Sequence, residues 1–203
     1  MEKQLRVVAL VGSLRGQSYT RRVVQALMEL APEAMAIDIV PIGALPLYNE
    51  DEETHLPPPA WQALRNQVRG SDGVLFATPE YNRSIPGVLK NAIDVGSRPA
   101  GASVWSGKPA AVLSVSPGAL GGFGANHHLR QCLVFLDMPV LQQPEAYLGR
   151  AASLIDADGR ITSSETVEFL TGLVSAFEHW IRRLRNDASD ELEAVEEERD
   201  GTY

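Results

Sequence analysis

A single cysteine, Cys132, stands in a chain of 203 residues. That excludes an intrachain disulfide and any cysteine-built metal site, and it suits a reducing compartment. Cys132 lies in the apolar run Gln131-Cys132-Leu133-Val134-Phe135 with no cationic neighbour to favour a thiolate, so it reads as a small buried core residue. No apolar stretch approaches the roughly 20 residues of a membrane span. A net charge of -8 opposes nucleic acid, so neither nucleic acid nor a membrane is an expected partner. The opening Met1-Glu2-Lys3-Gln4-Leu5 has no charged and apolar leader pattern, and a cytoplasmic location is expected. Histidines are few. His127 and His128 are adjacent on a predicted helix and point about a quarter-turn apart, which suits surface residues better than shared metal ligands. His55 and His179 have no ligand constellation either, so no metal site is expected.

Hydrophobic residues make up 44% and charged residues 22%, the balance of an ordinary globular protein. The acidity is local. From Asn186 to Tyr203 eight acids face only Arg199, so this segment carries -7 of the -8 and the rest is nearly neutral. We therefore expect one domain over residues 1–185 and an acidic C-terminal tail over 186–203.

Leu5 to Val11 is a short, β-branched, mostly apolar run ending at Gly12, as a strand buried on both faces of a parallel sheet would be. A helix starting near Ser18 or Thr20 follows and stops at Pro32. Met35 to Val40 is a second strand, and Ile42 to Pro59 a long proline-rich loop leading into a helix through Trp61, Leu64 and Val68. Gly73 to Thr78 is the third strand, Pro86 to Val95 a helix and Pro109 to Val115 the fourth strand. Leu120 to Leu136 is predicted largely helical, Met138 to Leu141 begins the fifth strand, and Ser164 to Leu184 is a closing helix with Val167, Leu170, Val174, Phe177 and Ile181 on one face. Strands alternating with helices imply an α/β three-layer sandwich around a five-stranded parallel sheet. The order 2-1-3-4-5 is expected, with ligand beyond the carboxyl ends of the strands.

Three strand-end loops carry unusual chemistry. After the first strand the Gly-x-Gly-x-x-Gly and Walker fingerprints are absent. In their place stand the hydroxyls of Ser13, Ser18 and Thr20, the cation Arg15 and a helix start with free N–H groups, which together suit a phosphate monoester. Capping alone would account for Ser18 or Thr20, but not for three hydroxyls with Arg15. After the third strand, Pro79-Glu80-Tyr81-Asn82-Arg83-Ser84-Ile85-Pro86-Gly87 pairs stiffening prolines with the flat face of Tyr81 and the amide of Asn82. After the fourth, Ser116-Pro117-Gly118-Ala119-Leu120-Gly121-Gly122-Phe123-Gly124 removes side chains where something must approach the backbone closely. A proline turn and a flexible loop are the competing readings of these two segments.

Residues 5 to 150 resemble the NADPH-dependent FMN reductases of the flavodoxin-like superfamily, which include soluble chromate, quinone and azo-dye reductases. The resemblance is carried by Pro79-Glu80-Tyr81-Asn82-Arg83-Ser84-Ile85-Pro86-Gly87-Val88-Leu89-Lys90-Asn91-Ala92-Ile93-Asp94 and by Gly12-Ser13-Leu14-Arg15 with Ser18. It implies that Ser13, Arg15, Gln17, Ser18, Tyr19 and Thr20 hold the FMN phosphate, and that Pro79, Glu80, Tyr81, Asn82 and Arg83 hold the flavin ring. It further implies that Ser116, Pro117, Gly118, Gly121 and Gly122 close over the ring. Thr20 stands where the family usually has asparagine. NADPH (or NADH) is the implied reductant, with Arg15, Arg83 and Arg98 as candidates for its phosphates.

On this reading hydride passes from the nicotinamide to flavin N5, electrons then leave to a small-molecule acceptor, and no side-chain nucleophile is needed. The acceptors in view are quinones, chromate, azo dyes and flavins. A homodimer or homotetramer is implied, with Trp105, Phe123 and Tyr147 as interface aromatics or core residues. Two other readings remain: a flavodoxin-type electron carrier that does not oxidise nicotinamide, and a non-redox enzyme that binds a nucleotide in the same loop.

Overall fold

The computed structural model describes residues 3–156 and 158–200, with side chains described as far as residue 185. Leu5–Val11 (β1) is followed by Tyr19–Leu30 (α1), Met35–Val40 (β2), Glu50–His55 (α2) and Pro59–Arg69 (α3). Gly73–Thr78 (β3), Gly87–Gly96 (α4), Ala110–Val115 (β4) and Phe123–Phe135 (α5) come next, then Ala146–Leu148 (β5), Ala151–Leu154 (α6) and Ser164–Asp200 (α7). The strands form one five-stranded sheet in the order β2-β1-β3-β4-β5, every pairing parallel. This is the flavodoxin-like arrangement expected.

Alternation along β1 decides which side each residue serves. Val7, Ala9 and Val11 join Leu75, Ala77 and Leu113 under α1 and α7, where Val23, Leu27, Leu170, Val174, Phe177 and Ile181 complete one core. Val8 and Leu10 join Val74, Phe76 and Val112 against α3, α4 and α5, where Trp61, Leu64, Leu89, Leu129 and Leu133 complete the other. Trp105 belongs to this second core: it is fully buried, donates Nε1–H to the Ile93 carbonyl at 2.9 Å and packs 5.7 Å from the Phe76 ring. Its alternative assignment to an interface is therefore excluded.

Several expected boundaries shift. The Met138 to Leu141 segment makes only one parallel bridge, Val140 to Ala110, because Pro139 has no N–H to offer and the chain bends at Gln143 and Pro144. The fifth strand proper is Ala146–Leu148. The 42–59 loop contains α2, whose Asn49 N-cap accepts the Asp51 amide at 3.1 Å ahead of four first-turn acids. α5 begins at Phe123 rather than Leu120. Cys132 is half-buried, and burial pushes its thiol pKa up. α7 runs past Leu184 to Asp200, so no helix end marks a boundary at residue 185; the tail's acidic side chains and residues 201–203 lie outside the described residues.

Candidate functional site

In a parallel sheet with a helix after each strand, the helix N-termini collect at the strands' carboxyl edge. Here α1, α4 and α5 all begin at that edge, and none has an acidic residue in its first turn. The Ser18 Oγ accepts the Arg21 amide at 3.2 Å as the N-cap of α1. Pro86 caps α4 with no side-chain bond. The positive end of α1 is thus met by one neutral hydroxyl, which leaves it able to bind an anion.

Around that end the three predicted hydroxyl residues Ser13, Ser18 and Thr20 are buried, while Leu14, Arg15, Gly16 and Gln17 are exposed. Tyr19 is half-buried. Gln17 already accepts a hydrogen bond from Arg22, which also donates to the Asp156 carbonyl at 3.3 Å.

Segment 79–84 closes into a tight hairpin: Tyr81 and Ser84 exchange both backbone hydrogen bonds at 3.0 Å. Asn82 (φ 53°) and Arg83 (φ 64°) form its tip in the left-handed region, which asparagine tolerates and arginine does not favour. Tyr81 is 48% exposed. Arg15 and Tyr81, from different loops, line one cleft of about 420 Å³ together with Gly12, Leu14, Pro86, Gly87 and Val88. A larger cavity of about 610 Å³ lies between α1 and residues 158–161 and shares no residue with the three expected loops.

In the third loop the Ser116 Oγ accepts the Gly118 amide at 3.1 Å, and Pro117 and Gly118 are exposed. Gly121 and Gly122 are buried. A Cβ on Gly121 would lie 2.7 Å from the Tyr147 carbonyl carbon, and one on Gly122 would lie 3.0 Å from the Ser114 Cβ. The absent side chains therefore make room for β4 and β5, and Gly122 at φ 78° supplies the left-handed entry to α5.

Beside this loop His127 and His128 are both exposed and take different partners. His127 Nε2 meets the Tyr147 hydroxyl at 3.0 Å and its ring packs tilted against Phe123, centroids 4.2 Å apart, while His128 Nδ1 meets the Ser84 hydroxyl at 2.7 Å. Arg98, also exposed, lines a second groove with Lys90, Asp94 and Tyr48, which meets the Arg15–Tyr81 cleft at Gly87.

One residue of the signature segment has a role that was not legible locally. Asn91 donates to the Pro46 carbonyl at 2.9 Å and accepts the Tyr48 amide at 2.9 Å, fastening the 42–49 loop to α4. The only hint is an amide between the apolar Leu89 and Ala92 of the helix.

The sheet order, with the starts of α1, α4 and α5 gathered at the strands' carboxyl edge, defines a flavodoxin-like protein. The chain belongs to the NADPH-dependent FMN reductase family, whose description matches residues 5–153. It is 60% identical over 182 residues to a quinone reductase of Pseudomonas putida, covering 90% of this chain and 97% of that one. It is 44% identical over 181 residues to a 2-hydroxy-1,4-benzoquinone reductase of a Burkholderia species, covering 89% and 98%. Among solved structures it is similar to FerB, a flavoenzyme NAD(P)H:(acceptor) oxidoreductase of Paracoccus denitrificans, with TM-score 0.83, 40% identity and coverage of 88% and 98%. Family membership carries FMN as cofactor with NAD(P)H as reductant. The residues present fit that group: an α1 N-terminus without acid, hydroxyls around it and an exposed guanidinium at the mouth of the adjoining cleft.

Proposed function

We propose that this protein is an FMN-dependent NAD(P)H:quinone oxidoreductase, with chromate, azo compounds and free flavins as further acceptors. The observation that carries the reading is the meeting of Arg15 and Tyr81 in one cleft beside the acid-free N-terminus of α1. The chemistry that FMN supplies when bound is acceptance of a hydride from NAD(P)H and delivery of two electrons, with protons from solvent, to the quinone.

The chain's own residues bind and orient. Ser13, Ser18, Thr20 and the first amides of α1 hold the phosphate, with Arg15 adding charge. The 79–83 hairpin presents Tyr81 and backbone amides to the ring, and Ser116 with the 117–122 segment closes the opposite side. Holding nicotinamide and acceptor in turn against one flavin face is the rate advantage such a cleft gives.

The domain is taken as residues 1–185 with 186–203 as an acidic extension. One cysteine supports a cytoplasmic enzyme, and among the described residues no helix is long and apolar enough to cross a membrane. A homodimer or homotetramer is supported by Phe123, an exposed aromatic at the rim of the third loop.

The test is direct. The FMN-loaded protein is expected to absorb blue light and to oxidise NADPH promptly when benzoquinone is added. Bound FMN without oxidation of either NADPH or NADH would favour the electron carrier. A protein that stays colourless after FMN addition would favour the non-redox nucleotide enzyme.

A further inference from the structure

Both carboxylate oxygens of Glu80 are engaged by the protein. Oε2 accepts the Ala125 backbone amide at 3.1 Å, and Oε1 accepts from Arg83 at 3.0 Å. Ala125 lies in the first turn of α5, whose N-cap is Gly122 and which has no capping side chain of its own. Glu80 thus takes one of that helix's orphan donors from 45 residues away. Arg83 is 76% exposed on its side chain, so its ion pair adds little and the Ala125 bond is the effective one.

A second tie runs parallel to it, from the Ser84 hydroxyl to His128 Nδ1 at 2.7 Å. Ala125 and His128 are three residues apart, on one face of α5. Between the two ties sits the hairpin tip with its two left-handed non-glycine residues, a conformation that persists only where its surroundings over-determine it. The seat is close. A Cβ on Gly124 would lie 2.9 Å from Glu80 Oε2 and 3.2 Å from the Arg83 carbonyl.

We propose that Glu80 is a positioning residue that ties the flavin-ring hairpin to the start of α5, so that the hairpin and the glycine-rich third loop act as one preorganised body. The proposal rests on the FMN reading above but assigns Glu80 a different task from touching the cofactor. Its cost when lost falls on ring binding, because an untied hairpin must be ordered by the ligand. The phosphate loop, on a different strand end, is untouched.

The experiment measures binding of FMN and of riboflavin to the apoprotein by flavin fluorescence, together with amide hydrogen exchange at Ala125. Glu80→Ala is expected to weaken both flavins about tenfold, leaving the FMN-to-riboflavin ratio unchanged, and to speed Ala125 exchange about tenfold. Glu80→Gln keeps a carbonyl acceptor and is expected to stay within about threefold of the parent protein. Gly124→Ala keeps the carboxylate but drives a methyl onto it, and is expected to behave as Glu80→Ala; it decides the matter if Glu80→Ala does not fold. The proposal is overturned if Glu80→Ala binds both flavins normally, if it loses FMN alone, if Glu80→Gln fails equally, or if Ala125 exchange is unchanged. A parent protein that binds neither flavin defeats the cofactor reading instead, and Ala125 exchange then decides the tie.

Discussion

The hydroxyl of Ser18 accepts the backbone amide of Arg21 at 3.2 Å, the bond that starts α1 at the carboxyl end of β1. The same turn is where the phosphate is proposed to bind, so one serine serves helix stability and ligand capture together. Substitution separates the two. Ser18→Ala is expected to cost about 1 kcal/mol of stability in urea unfolding and to weaken FMN. Ser18→Asp keeps a capping oxygen and the stability, yet sets a carboxylate against the phosphate, so FMN affinity is expected to fall below that of Ser18→Ala. Equal affinities in the two variants would remove the phosphate from this turn.

Arg15 lines the cleft with an exposed side chain and makes no ion pair among the described residues. Arg15→Glu is expected to weaken FMN retention if the guanidinium meets the flavin phosphate. It raises mainly the KM for NADPH if it meets the second cofactor. Fluorescence titration and steady-state kinetics on the same preparation distinguish them, and unchanged values for both would leave the hydroxyls and α1 amides as the phosphate's holders.

Glu53 and Arg65 form a bidentate ion pair, 2.5 Å at its shorter contact, with side chains 9% and 5% exposed. Arg65 also donates Nε–H to the Val95 carbonyl at 3.0 Å, so the pair fastens α2 across α3 to α4. Glu53→Ala leaves a buried guanidinium without its counter-charge and is expected to cost about 3 kcal/mol in urea unfolding. Replacing Glu53 and Arg65 together by leucine and methionine is expected to cost less, because no uncompensated charge remains.

Burial, reinforced by the neighbouring Glu145, pushes the Tyr147 pKa up to about 12. A raised folded-state pKa on a group that is neutral when protonated means that folding favours the protonated phenol. This contribution to stability is complete below the unfolded value near 10 and is lost as pH rises from there through 12. In an ultraviolet titration the parent protein is expected to show a tyrosinate step near pH 12 that Tyr147→Phe lacks. The same substitution is expected to flatten the fall in stability over that range.

The strand ends were legible because they rest on short-range rules. Runs such as Leu5–Val11 and Gly73–Thr78 are mostly apolar and stop at Gly12 and Pro79, and the structure places those strands where the runs lie. The signal for α2 was also present, in Asn49 followed by four acids, but it was hidden by the prolines on either side. β5 was misplaced because a three-residue strand carries too little pattern to outweigh an apolar run that only brushes the sheet at Val140.

The chemistry of the site shows the same division. Hydroxyls before a helix, an arginine among them and a proline-bounded aromatic loop are local facts, and they sufficed for the phosphate loop and the ring loop. The partners of those residues are not local. Glu80 meets Ala125 only because β3 and β4 pair in register and bring the starts of α4 and α5 together. Gly121 and Gly122 yield space to Tyr147 and Ser114, which the β4–β5 pairing sets side by side. Propensity and periodicity act over a few residues, and so they dictated the elements and the order in which their loops emerge. Which side chains touch across those loops was decided by sheet register and helix packing, which join residues tens of positions apart and leave no mark in either neighbourhood.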